Sequence, residues 1–492
     1  MLFAGQEGVL RSTTDPLSQG LVAAIIVLVF VVLALEKAHR VLVIFSAVAA
    51  LWLITYLTPF KLITFEGAKT AIDLNVLFLL AAMMAAVGVL KTTGVFEWAV
   101  GRLLQRAGGR PIVIQALIAW FTGILSAFAD NVTTVIFVTP MALEMARLTG
   151  VRPLAYLLPM VMAANIGGTA TLIGDPPNIM IGSGANLSFL DFIYDLSVPV
   201  LWMMLLLEFF SRRWYRADFA SAIALGGSFP QPEVQDPQLL RWSLGITGGI
   251  FIGFFTHSWT GMPVAVPAVI GAAAILIVQD VLYLRRHRPS HAERVHGLLD
   301  VIEKEIEWPT LSFFAFLFIA VGAAVDTGLI DTMATGLAWL IGTGQASFGL
   351  SAQGTLLFGA LMICWASGVL SALIDNIPFV AVAIPIVARL TGTLEGNTEV
   401  LWWALSLGAC LGGNGSAIGA SANVTTIGLS ERGGTRISFA EFTRFGAIVA
   451  ALTLLVASLF LGGYVYLGDQ RVFRLGLGGL AVIAIARAVL RR

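Results

Sequence analysis

The sequence predicts an all-α polytopic membrane protein built from two inverted repeats, each with a re-entrant helical hairpin and a broken helix. Three observations carry that prediction. Of the 492 residues, 58% are hydrophobic and only 12% charged, against roughly 25% charged in a typical soluble chain. About 11 apolar runs are long enough to cross a bilayer as helices. A nonapeptide with an Asp-Asn pair at its end recurs in the second half, and further matches follow in the same register.

The mean hydropathy of +0.89 places most of the surface against hydrocarbon rather than water. A formal net charge of zero removes the electrostatic footprint that nucleic acid would need, so no such partner is expected. Residues 1–19 have no basic stretch leading into an apolar run and a cleavage site, and are expected to form an external N-terminal segment. The first apolar segment is therefore expected to stay in the membrane.

Spans are expected near 20–35, 41–58, 73–91, 154–168, 192–211, 239–256, 263–284, 308–326, 400–411, 441–467 and 472–490. The runs at 112–147 and 352–391 are about twice the length of a span and carry Asp-Asn near the middle. A polar pair there suits a hairpin, whose irregular tip is tolerated only when buried in protein or lining a cavity. The expected organisation is repeat 1 over 20–216, with hairpin 112–147 and broken helix 154–187. A cytoplasmic linker covers 217–238. Repeat 2 spans 239–467, with hairpin 352–391 and broken helix 400–430, and an additional C-terminal helix lies in 468–492.

Basic residues test the topology. Lys37 and Arg40, the group Arg102, Arg106 and Arg110, Arg147 and Arg152, and Arg212, Arg213 and Arg216 all fall on one side. So do Arg285, Arg286, Arg288 and Arg294, then Arg432 and Arg436, then Arg491 and Arg492. With the N-terminus outside and the C-terminus cytoplasmic, that side is the cytoplasm. The connecting segments 183–191, 257–262 and 327–351, expected on the other side, contain no Lys or Arg. The expected location is the cell inner membrane, crossed many times.

The repeat reads Gly123-Ile-Leu-Ser-Ala-Phe-Ala-Asp-Asn131 against Gly368-Val-Leu-Ser-Ala-Leu-Ile-Asp-Asn376. One constant offset also matches Pro140 to Pro385, Gly167-Gly168 to Gly412-Gly413, Ile173-Gly174 to Ile418-Gly419 and Asn178 to Asn423. A shorter echo sets Ser188–Phe192 against Ser438–Phe442. Inverted repeats of this kind place substrate sites near the bilayer midplane.

Each hairpin is followed by a helix interrupted by a Gly-rich segment, Asn165 to Asn178 and Gly412 to Asn423. Glycines release the backbone from helical geometry, and Pro176-Pro177 forbids a continuous helix. Freed carbonyls and half-helix ends can then hold ions or polar solutes. Asp130, Asp375 and Asp175 are the candidate proton- or ion-coupling residues. A carboxylate at mid-membrane costs roughly 2.5–3.5 kcal/mol on insertion scales and usually faces a cavity. The competing reading makes each a structural residue, capping a half-helix or bonded to the neighbouring Asn. Asp175 has no counterpart, because Ala420 stands there. The candidate substrate-binding residues are Asn131, Thr169, Thr171, Asn178, Asn376, Asn414, Ser416 and Asn423.

Neither hairpin tip nor either break contains Lys or Arg. Acids and amides without a fixed cation suit a cation, a proton or a neutral hydroxylated solute better than a multivalent anion. No metal site or cofactor is expected. His287, His291 and His296 in an Arg-rich loop read as solvated residues. Cys364 and Cys410 read as packing residues, although a thiophilic metalloid would also find them.

These motifs resemble the ion transporter superfamily, in its arsenite permease-like and P-protein-like branch. The resemblance rests on Leu125–Thr134, Asn165–Asn178 and Leu411–Asn423, and extends over about residues 40–465. It implies a scaffold plus a transport domain, a homodimer and elevator-like alternating access. Dicarboxylate carriers of the superfamily carry Ser-Asn-Thr at the hairpin tips, where this chain has Asp130-Asn131-Val132 and Asp375-Asn376-Ile377. The resemblance therefore implies proton-coupled efflux of arsenite and antimonite, with sodium/proton antiport and anion permeation as alternatives. Its partners would be the small inorganic solute, protons and the lipid bilayer. No enzyme activity is expected: the Gly-x-Gly-Asp signature of intramembrane aspartyl proteases is replaced by Leu172-Ile-Gly-Asp175, and no phosphate-binding loop occurs. A separate ATPase partner stays open.

Overall fold

The computed structural model describes residues 15–35, 37–220, 222, 233–287 and 302–490. The expectations for residues 1–14, most of the linker, His291, His296, Arg288, Arg294, Arg491, Arg492 and the side chain of His287 lie outside the described residues. The chain is 82% helical, with no strand among the described residues.

Among the described residues, ten helices are long and apolar enough to span a membrane. The first three elements are α1 (Pro16–Ala34), α2 (Arg40–Leu57) and the short α3 (Phe65–Ala71). They are followed by α4 (Leu74–Thr92) and α5 (Val95–Arg106). The first hairpin is α6 (Pro111–Ser126) and α7 (Asn131–Thr149), and the first broken helix is α8 (Leu154–Gly168) and α9 (Pro176–Ala185). Then come α10 (Phe189–Trp214), α11 (Arg216–Ala220), α12 (Pro237–Thr260) and α13 (Ala265–His287). The second half continues with α14 (Trp308–Asp326) and α15 (Leu329–Phe348). Its hairpin is α16 (Ala352–Leu373) and α17 (Asn376–Thr391), and its broken helix α18 (Val400–Gly412) and α19 (Ser421–Arg432). The chain closes with α20 (Phe439–Leu467) and α21 (Asp469–Leu490).

Local sequence accounts for many of these boundaries. Asp15, Asp73, Asp130 and Asp375 each cap a helix by accepting a backbone N–H. The echo at Ser188 and Ser438 is a pair of capping boxes, closed by Asp191 and Glu441 three residues on. Large apolar side chains such as Leu57, Phe209, Trp259 and Leu459 point outward, as lipid-facing surface does. By contrast every residue of α8 and α18 is buried, so these two half-helices form the centre of the bundle.

The two halves repeat in packing as well as in sequence. Helix α6 lies against α8 as α16 lies against α18, and α7 meets α19 as α17 meets α9. A second match lies upstream of the motifs. Thr93-Gly94 ends α4 and Thr327-Gly328 ends α14, with both glycines left-handed at φ 72° and 74°. Segment 327–351, read from sequence as a connecting segment, instead contains helix α15. Asp331, several threonines and Gln345 interrupt its apolar pattern, so composition does not reveal it.

One ion pair clips α12 to α13. Asp236 accepts Arg286 Nη1 at 2.5 Å and Nη2 at 3.1 Å. The Arg286 hydrogen bonds hold the Asp236 carboxyl below the ordinary carboxylate range, helped by the Leu239 and Gln238 N–H groups. Because the folded value is depressed, the clip is fully present above the unfolded value of about 3.9 and is lost as pH falls through the folded one. For a partly exposed pair the contribution is at most about 1 kcal/mol. Asp236→Asn should lower thermal stability slightly at pH 7 and progressively less as pH falls below about 3.9; equal losses across that range would show that the charge is irrelevant.

Candidate functional site

The hairpin tips and the helix breaks meet around a cavity of about 520 Å³. Asp130, Asp175 and Asp375 all line it, together with Asn131 and Asn376. The acids come from both halves. Two of them also serve as caps: Asp130 accepts Thr133 N at 2.9 Å and the Thr133 hydroxyl, and Asp375 accepts Ile377 N at 3.2 Å. Capping and lining the cavity therefore coincide in Asp130 and Asp375. Asp175 is different. It precedes α9 in an extended conformation and caps nothing; instead it accepts Asn376 Nδ2 at 3.4 Å.

Of the eight candidate binding residues, Asn131 and Asn376 face the cavity, and the other six stand behind it. Asn178 Nδ2 donates to the carbonyls of Thr169 at 3.1 Å and Thr171 at 3.0 Å. Asn423 does the same for Gly413 at 2.8 Å and Ser416 at 2.9 Å. A broken helix leaves carbonyls without partners, and in a membrane they must be satisfied internally. These two amides do so. The Thr171 hydroxyl donates to Ala127 O and Ser416 Oγ to Ala372 O at 2.5 Å, so each break is stapled to its own hairpin. Thr169 Oγ1 donates to Asn165 O at 2.9 Å. Asn414 Oδ1 accepts Asn165 Nδ2 at 2.9 Å, while its own Nδ2 is a buried donor with no partner among the described residues.

Asn165 joins the halves, since its Nδ2 also donates to Asn423 Oδ1 at 3.0 Å and its Oδ1 accepts Asn131 Nδ2 at 3.3 Å. At the repeat-related position stands Cys410, whose thiol donates to Asn178 Oδ1 at 3.6 Å and lies within hydrogen-bonding reach of Asp175. The two tips therefore face unlike partners. Asn131 meets the neutral Asn165, whereas Asn376 meets Asp175 with Cys410 beside it. Cys364 is buried within α16 and does not line the cavity.

The expectation of a site without a fixed cation needs correction. The tips and breaks hold none, but Arg40 at the start of α2 reaches the cavity wall, as do Glu307 and Thr310 at the start of α14. Sequence reasoning assigned Arg40 to the cytoplasmic charge pattern. No local signal distinguishes it from the other basic residues flanking spans.

A helical chain that crosses the membrane many times, around a cavity to which both halves contribute acids and amides, is a membrane transporter, not an enzyme. This chain belongs to the citrate transporter family, whose sequence model matches residues 28–408. It is 35% identical over 442 residues to an uncharacterized transporter of Mycobacterium tuberculosis, covering 89% of this chain and 96% of that one. The human P protein is 27% identical over 467 residues, 79% of this chain and 53% of that protein, so this chain spans about half of it. In fold it is similar to the YdaH transporter of Alcanivorax borkumensis, with a TM-score of 0.56 at 14% identity over 92% of this chain and 99% of that one. The ion transporter superfamily resemblance and the all-helical membrane fold thus stand.

Proposed function

We propose that the protein is a proton-coupled secondary transporter that exports arsenite and antimonite by an elevator-like movement of the hairpins and broken helices. It would work as a homodimer in the cell inner membrane, N-terminus outside. The observation that carries this reading is the convergence of Asp130, Asp175 and Asp375, with the amides of Asn131 and Asn376, on one cavity. Carboxylates exchange protons, and amides hydrogen-bond neutral hydroxides without demanding a countercharge. A citrate-like anion would meet four carboxylates, counting Glu307, against the single guanidinium of Arg40. In this mechanism Asp130 and Asp375 hold the solute or the proton at the tips, and Asp175, which caps nothing, couples the two fluxes.

The same excess of acid favours a second reading, sodium/proton antiport. Everted vesicles with an imposed pH gradient separate the two. The expected result is gradient-driven accumulation of arsenite and antimonite that collapses when the gradient is dissipated. Sodium-driven proton movement without arsenite accumulation would instead establish the antiporter, and citrate uptake would overturn both. In Asp175→Asn, downhill arsenite flux should persist within about threefold while accumulation against a gradient disappears, since a neutral amide keeps the contact to Asn376 but carries no exchangeable proton. Undiminished accumulation would remove Asp175 from coupling.

A further inference from the structure

Arg40 occupies an unusual position for a basic residue at the start of a span. Its Nη2 donates to Thr310 Oγ1 at 2.7 Å, and its Nη1 to Ser421 Oγ at 3.4 Å. Ser421 Oγ in turn donates to Asp375 Oδ2 at 3.0 Å, and Thr310 Oγ1 to Glu307 Oε2 at 2.8 Å. The guanidinium also sits 5.8 Å from the Phe313 ring centroid, so α14 holds it from two sides. One hydroxyl thus separates a permanent cation on α2 from a hairpin-tip acid. Arg40 is the one Lys or Arg among the described residues lining the cavity.

We propose that Arg40 is a built-in counter-ion. Through Ser421 it compensates the Asp375 carboxylate when the cavity is open at the α2 end, and so drives off the proton or cation that Asp375 carries. An arginine cannot give up its own proton, so its charge is constant and only its position relative to Asp375 can vary. Arg40 and Thr310 belong to α2 and α14, which pack together; Ser421 and Asp375 belong to the second broken helix and hairpin. Any movement of the latter pair past the former breaks the Arg40–Ser421 bond and leaves Asp375 to find a new positive partner, which a proton or cation from the other side supplies. His39, Glu307, Asp130 and Asp175 are the other titratable groups at this cavity; the acids favour retention of a proton, which Arg40 opposes. The inference rests on the reading of Asp375 as an ion-carrying group and not on the identity of the solute.

The test is a pH titration of the purified, reconstituted protein by infrared spectroscopy, following the protonated-carboxyl band that disappears in Asp375→Asn. In R40Q the midpoint of that band should rise by about 2 pH units, the shift expected from removing a unit charge roughly 6 Å away, one hydroxyl between, at an effective dielectric near 20. S421A should move it the same way by less, and R40K should leave it near wild type. An unmoved midpoint in R40Q, or the absence of any titrating band assignable to Asp375, overturns the proposal. Should R40Q fail to fold, S421A decides, and an unmoved midpoint there has the same consequence. A shifted band in a protein that moves no arsenite would sink the solute assignment alone, whereas arsenite flux with an unmoved band would sink only the role of Arg40.

Discussion

Asp375→Ala and Asp130→Ala are expected to reduce transport by about 100-fold or more while the protein still inserts into the membrane. Each substitution removes a charge from the cavity and an N-cap from the second arm of a hairpin. Truncating a buried, hydrogen-bonded charge typically costs about 2–5 kcal/mol, and every 1.4 kcal/mol is tenfold. Asparagine separates the two roles, because it caps helices about as well as aspartate does. If Asp130 and Asp375 carry ions, Asp130→Asn and Asp375→Asn should lose nearly as much transport as the alanine variants and keep near-wild-type thermal stability. If they were caps only, the asparagine variants would transport normally. Flux in vesicles together with thermal unfolding in detergent reads both outcomes.

The second large effect concerns assembly rather than ions. A methyl group on Gly167 would overlap the backbone of Gly123, and one on Gly412 would overlap the backbone of Gly368. These pairs are repeat-related and bring α8 against α6 and α18 against α16. Membrane helices associate largely through close packing at small residues, and a backbone cannot move aside as a side chain can. Gly167→Ala and Gly412→Ala should each destabilise the protein by about 3 kcal/mol or more, the upper range for overpacking. Gly245→Ala and Gly249→Ala on α12 provide the control, since nothing stands within 4 Å of either. Equal thermal stability of all four variants would refute the close-packing account.

The parts legible in the sequence are those that local composition or internal repetition dictates. The break at Gly168–Pro176 had to be a break, because no helix accommodates Pro176-Pro177 after so many glycines. The echo at 188 and 438 was visible as a match, although its meaning as two capping boxes needed the backbone. Helix α15 was not legible, since its polar residues conceal a helix packed along the bundle. The upstream match at Thr93-Gly94 and Thr327-Gly328 was present in the sequence but is too short to register without the helices it terminates.

For the site, residue type placed the three acids and the paired asparagines, but it could not rank them. Asn131 and Asn178 are the same residue in similar apolar surroundings. One faces the cavity and the other is consumed by carbonyls left without partners at the helix break. Which partner an amide takes depends on backbones that approach from remote segments, and periodicity carries no record of them. The same holds for Arg40, which lies far from either hairpin in the chain and meets Ser421 at the start of α19 only in the folded structure. Composition and repetition alone therefore determined a membrane-embedded, twice-repeated helical chain with acids at its breaks. Tertiary structure alone decided which polar groups face the cavity, which hold the breaks together, and that a cation from a distant helix belongs among them. Solvent preference is a property of each segment, whereas hydrogen-bond partnership arises only between segments.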